Sequence, residues 1–183
     1  DIGDAFSFED DGPTITRNES SVPSLVTDDT DITDTDGPVS FAGLFDGSFG
    51  NDGPKDSNDD DVADDDAIAY SLSINGGDGT ESGLFDVLSG DAILLRVNGD
   101  GDIEGYLEND TSEVAFLIDL DANGDISLVQ NRAITHDDPL DPVESGGDAE
   151  GMAADLIVLT ATITDGDGDT AEAAGRNGDA VSL

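Results

Sequence analysis

The chain has 183 residues with 45 Asp or Glu against 5 Lys or Arg, a formal net charge of -40, one His, no Cys and no Trp. Five scattered cations cannot neutralise phosphates, so nucleic acid and anionic membrane surfaces are excluded as partners, and the missing Cys excludes disulfides, thiolate metal sites and thiol catalysis. Leu, Ile, Val and Phe make up about a quarter of the residues, enough for a core of thin margin, and self-repulsion among the carboxylates calls for bound divalent cations, high salt, or both.

In chain order, Gly3-Asp4-Ala5-Phe6-Ser7-Phe8 opens a pattern that Gly178-Asp179-Ala180-Val181-Ser182-Leu183 begins again at the other end. The shared alternation reads as a tandem array of domain-sized repeats, with residues 1–8 the closing strand of a preceding repeat and 9–183 one repeat domain. A chain that starts at Asp1 without Met is then expected to be an excerpt of something longer. Thr14 to Ser40 supplies outer strands, Phe41 to Phe49 has room for a helical turn or two, and the acidic stretch Asn51 to Asp66 reads as a loop that ions would have to order.

From Ala67 to Arg132 apolar residues recur at every second position: Ile68, Tyr70, Leu72 and Ile74; Ile93, Leu95 and Val97; Val114, Phe116 and Ile118; Ile126 and Leu128. Between them stand the hairpin turns Asn75 to Gly79, Asn98 to Gly101 and Asp121 to Gly124, where Gly and Asn accept positive backbone torsions. After a long connection from Thr135 to Gly151, with a second short helical segment expected at Asp148 to Ala154, the alternation Ile157, Leu159, Ala161, Ile163 returns. The expectation is an all-β, antiparallel, immunoglobulin-like β-sandwich enlarged or interrupted by an inserted β-meander at 67–132, with one larger sandwich as the alternative.

Chemistry concentrates in the turns. Asp165-Gly166-Asp167-Gly168-Asp169 places a carboxylate at every second position with Gly between, which suits a loop folding several oxygens around a hard cation such as Ca²⁺. In a sandwich this loop meets the lead-in to the first strand, Glu9-Asp10-Asp11-Gly12-Pro13, so Glu9, Asp10 and Asp11 join Asp165, Asp167 and Asp169 as candidate ligands for an ion at a domain junction. Asp119-Leu120-Asp121-Ala122-Asn123-Gly124-Asp125-Ile126 matches the opening of an EF-hand loop. The match stops at Gln130, which stands where the bidentate carboxylate belongs, and neither flank is helical. Asp119, Asp121, Asn123 and Asp125 are therefore read first as a hairpin turn, with a weak calcium site as the other reading. Asn98 to Asp102 is read the same way, and Asp28, Asp29, Asp31, Asp34 and Asp36 form a looser ladder without separable ligands.

Nothing points to an enzyme. His136 is the single imidazole and sits in a Pro-containing loop with no nucleophile-elbow pattern around it. Paired carboxylates among 45 acids carry no information about glycoside hydrolysis. Without Trp, and with Tyr70 and Tyr106 alone, an aromatic sugar platform is disfavoured.

Phe8-Glu9-Asp10-Asp11-Gly12-Pro13-Thr14-Ile15, Phe41-Ala42-Gly43-Leu44-Phe45, Leu95-Arg96-Val97 before a Gly/Asp turn, and Leu159 to Ala171 together resemble the large repeat (extender or split-type) domains of bacterial type I-secreted RTX adhesins. The resemblance spans nearly the whole chain, although the insert Asn51 to Asp66 and the sparse Lys and Arg depart from it. It implies a calcium-binding, non-catalytic module of a giant surface adhesin. Such a module would be extracellular on a Gram-negative cell, contacting adjacent repeats of its own polypeptide, monomeric within the array and not inserted in a membrane. It would hold a distal ligand-binding region outward for attachment and biofilm formation. The alternatives are a domain whose calcium contacts carbohydrate directly, or a halophilic surface-protein domain.

Overall fold

The computed structural model describes residues 11–28, 32–135, 150–153 and 155–176. Eleven strands account for nearly all regular structure: β1 (Thr14–Arg17), β2 (Thr35–Ser40), β3 (Phe45–Ser48), β4 (Ile68–Ile74), β5 (Thr80–Phe85), β6 (Ala92–Val97), β7 (Ile103–Leu107), β8 (Val114–Leu120), β9 (Asp125–Gln130), β10 (Ile157–Thr164) and β11 (Thr170–Arg176). The helical turn expected within Phe41 to Phe49 shrinks to a 3-10 turn at Ala42–Leu44, and the chain then extends into β3.

Every strand pairing is antiparallel. The six-stranded sheet has the order β2-β9-β8-β7-β6-β5, the three-stranded sheet β11-β10-β4, and β1 pairs with β3. Strands β5 to β9 thus form the meander that their turn spacing implies. β4 leaves it and pairs with β10 along Ile68↔Ile163 to Ile74↔Ile157, so residues 67–132 contribute to both sheets.

Alternation explains which face each strand buries. In β10, Ile157, Leu159, Ala161 and Ile163 point inward while Val158, Thr160, Thr162 and Thr164 are half-exposed. Ile93, Leu95 and Ile103 of the large sheet are fully buried and share one core with Leu72 and Ile74 of β4 and Leu159 of β10. Each such side chain contributes roughly 1.5–3 kcal/mol by leaving water. One core spans the two sheets, giving an all-β antiparallel sandwich whose turns carry the charge.

Candidate metal centre

The centre is built where three chain segments meet. β10 ends at Thr164, and Asp165 to Asp169 turn the chain into β11. Asp165 Oδ1 accepts the amide hydrogens of Gly168 at 3.1 Å and Asp169 at 2.8 Å, and the Asp165 amide donates to the Asp169 carbonyl at 3.0 Å. One oxygen of this carboxylate is therefore spent on closing the hairpin.

The second segment is the acidic loop. Pro54 bridges Asp165, the Gly166 amide donates to the Gly53 carbonyl at 3.0 Å, and the Lys55 amide to the Thr164 carbonyl at 3.0 Å. This short antiparallel contact brings Asp52 against the hairpin. A Cβ on Gly166 would sit 2.5 Å from the Asp52 carbonyl oxygen, so only glycine permits the approach. The loop is further held by its own carboxylates: Asp56 accepts from the amides of Asp60 and Asp61, Asp64 from Ser57, and Lys55 pairs with Asp66.

The third segment is the lead-in to β1. Asp11 Oδ2 accepts from Asn51 Nδ2 at 2.7 Å and from the Asn51 amide at 3.2 Å. Gly12 lies beside the hairpin, where a Cβ would stand 3.7 Å from Asp169 Oδ2. Lead-in, acidic loop and last hairpin thus meet as neighbours.

One carboxylate oxygen each from Asp52, Asp165 and Asp167 lies within 4.8 Å of the other two. Asp165 is fully buried, and its Oδ2 has no hydrogen-bond partner among the described residues. An ionised oxygen in that position costs several kcal/mol unless something positive faces it. The donor set is all hard oxygen, which suits hard cations such as Ca²⁺, Mg²⁺ or Mn²⁺ and disfavours softer metals. A cavity of about 560 Å³ lies alongside, lined by Asp52, Asp56, Asp59, Asp61, Val62 and Asp167 among others.

Of the candidate ligands read from sequence, Asp165 and Asp167 meet here. Asp169 belongs to the same hairpin and adjoins the lead-in, outside the triad, and Asp11 is tied to Asn51 next to Asp52. Glu9 and Asp10 lie outside the described residues, as do His136, the paired end patterns Gly3–Phe8 and Gly178–Leu183, and residues 136–149 of the 135–151 connection. Asp52 escaped the sequence reading. The one signal for it is that Asp52-Gly53-Pro54 repeats the Asp-Gly-Pro triplet of 11–13 and 36–38.

The EF-hand-like segment is elsewhere, in the β8–β9 turn. Asp121 accepts from the Asn123 amide at 2.8 Å, Asn123 Nδ2 at 3.0 Å and the Asp125 amide at 2.9 Å. Led by the bond from Asp125, these hold its carboxyl below the usual range. Asp119 is pushed the other way, by partial desolvation and then by the neighbouring charges of Asp102 and Asp121. In the β6–β7 turn, Asn98 Oδ1 accepts from the amides of Asp100 and Asp102. From the looser ladder, Asp34 and Asp36 accept from the amides of Asp28 and Val26. Asp121, Asn98, Asp34 and Asp36 thus accept from nearby backbone amides.

The molecule is therefore an antiparallel β-sandwich with an acidic cluster where the loop of residues 51–66 pairs with its last hairpin. Residues 24–175 match the family described as Domain of unknown function (DUF5801), and the chain belongs to that family. No curated protein and no solved structure matches the chain.

Proposed function

We propose that this chain is a calcium-stabilised structural module of a bacterial surface adhesin, extending or presenting a distal ligand-binding region. The observation that carries the calcium part is the buried, partnerless Oδ2 of Asp165 beside Asp52 and Asp167. Ca²⁺ takes six to eight oxygens at about 2.3–2.6 Å and is satisfied by carboxylates contributed from separate loops. Bound there, it would neutralise Asp165 and weld the loop of residues 51–66 to the β10–β11 hairpin. The adhesin part rests on the sequence resemblance and on the repeated pattern at the two ends.

In this reading the role is mechanical, with no catalysis. A chain of charge -40 resists compaction, and divalent ions reverse that resistance where acids are densest. Because Asp11 and Gly12 adjoin the same region, an occupied centre would also stiffen the link to whatever precedes β1.

With no Trp in the chain, unfolding is best followed by far-ultraviolet circular dichroism. Calcium at 100 times its Kd is expected to add about 2.7 kcal/mol of stability over excess chelator. Equal melting temperatures with calcium and with chelator would refute the metal-dependent reading. Full stability in molar NaCl with chelator would favour a halophilic domain instead. Small-angle scattering of two consecutive copies tests the junction: calcium should lengthen and narrow the distribution of maximum dimensions, and an unchanged distribution would count against a stiffened array.

A further inference from the structure

We infer that the metal at this centre keeps open coordination positions toward the neighbouring cavity, and that these take hydroxyl oxygens of a neutral polyhydroxylated ligand, a vicinal diol of an uncharged sugar or polyol. This deepens the calcium reading and rests on it. Asp52 and Asp167 belong both to the triad and to the cavity wall, so an ion between them lies at the cavity's edge. Asp165 has one oxygen committed to two hairpin amides, which leaves the three carboxylates short of the six to eight oxygens Ca²⁺ requires. Asp52 and Asp167 both face the cavity, so its open side is where water or ligand oxygens would reach an ion held by the triad.

Charge selects the class of ligand. Asp52, Asp56, Asp59, Asp61 and Asp167 ring the cavity, and no Lys or Arg lines it. With a doubly charged ion bound, the surroundings stay net negative and repel carboxylates, sulfates and phosphates. Neutral hydroxyls meet no such penalty. A volume of about 560 Å³ is of the size that holds a small organic ligand.

A second observation points the same way. Val62 is 63 % exposed in a stretch otherwise dominated by Asp, and it lines the cavity with Ala63 and Pro54. An aliphatic patch in the cavity wall offers the C–H face of a sugar ring something to lie against. Without an aromatic platform the affinity would be in the millimolar range.

The test uses the whole chain with Tb³⁺ as a luminescent replacement for Ca²⁺. Lifetimes in H₂O and D₂O count the water molecules on the bound ion, and about two or more are expected. Methyl α-D-mannoside should displace some of them, while methanol at equal concentration should not. Val62→Gly, which removes the aliphatic wall without adding a metal ligand, should weaken mannoside binding several-fold and leave the calcium-induced rise in melting temperature intact. An ion stripped of water would overturn the open face. Retained water that neither mannoside nor glycerol displaces, or preferential binding of sialic acid or inorganic phosphate, would overturn the ligand class with the calcium reading still standing. Failure of both Tb³⁺ and Ca²⁺ to bind would remove the calcium reading itself.

Discussion

Asp86 and Asp165 are both fully buried carboxylates in turns that follow strands, and they differ in what neutralises them. Asp86 faces Arg132, whose Nε donates to Oδ1 at 2.8 Å and Nη2 to Oδ2 at 3.1 Å, while Ser89 adds its amide at 2.7 Å and hydroxyl at 2.8 Å. The Arg132 bond leads in holding this carboxyl down at about 2. Arg132 continues to Glu113, so one of the chain's few cations ties the β5–β6 turn to the segment after β9. Asp165 has hairpin amides on one oxygen and, among the described residues, no hydrogen-bond partner on the other. At Asp86 the sequence supplies a cation and the fold closes by itself; at Asp165 it supplies further acids, and the proposed ion would complete the closure.

The largest effect expected from breaking this contrast is at the internally paired end. Asp86→Ala strands the half-buried Arg132 and should cost about 3–5 kcal/mol in urea unfolding, with or without calcium. If the loss shrank when calcium was added, the two ends would not be independent.

Next is the calcium response. Asp165→Asn keeps an oxygen for the hairpin amides and replaces the unpartnered Oδ2 by a neutral group, so it should raise stability in chelator and abolish the calcium-dependent gain of about 2.7 kcal/mol expected at 100 times Kd. Asp52→Asn should reduce that gain as well, because the triad needs both loops. A wild-type calcium response in Asp165→Asn would place the ion elsewhere.

Acid separates the pair further. The folded Asp86 carboxyl titrates near 2, below its unfolded value of 3.8, so its contribution is complete above the unfolded value and fades as pH falls through the folded one. A difference of that size is worth about 2 kcal/mol. In chelator, the acid limb of wild type between about pH 4 and pH 2 should therefore be flatter in Asp86→Asn, and parallel limbs would contradict the Arg132 pairing.

The smallest effect lies in the β8–β9 turn. Asp119 is raised by partial desolvation and by two like-charged neighbours, so its ionised form opposes folding once pH passes the unfolded value. Asp119→Asn should stabilise the chelated protein at pH 7 by less than about 1 kcal/mol, since the side chain is exposed and solvent screens it. Destabilisation, measured by urea titration, would mean that Asp119 supports the turn as Asp121 does.

Much of this architecture was legible because a strand's period of two is written locally: Ile157 to Ile163, Ile93 to Val97 and Val114 to Ile118 lie where their alternation puts them, and Gly/Asp turns separate them. Partnership was not local. Nothing in the 67–132 pattern announced that β4 would desert its neighbours for β10, since both of its possible partners offer the same alternation. The candidate site divides in the same way. Asp165 and Asp167 stood out through their own spacing, whereas Asp52 enters only by a three-residue contact of Gly53 to Lys55 with the end of β10, a pairing that no motif encodes. The EF-hand-like spacing at 119–125 shows the converse, since the same residues that suit an ion also suit a turn that consumes its own carboxylate.

Whether a cation completes the burial of Asp165 is decided by an anomalous difference map from a crystal grown with calcium. A peak about 2.3–2.6 Å from Asp165 Oδ2, shared with Asp52 and Asp167, is the predicted result. No peak there at saturating calcium, with a water or a protein donor bonded to Oδ2 in its place, would contradict it.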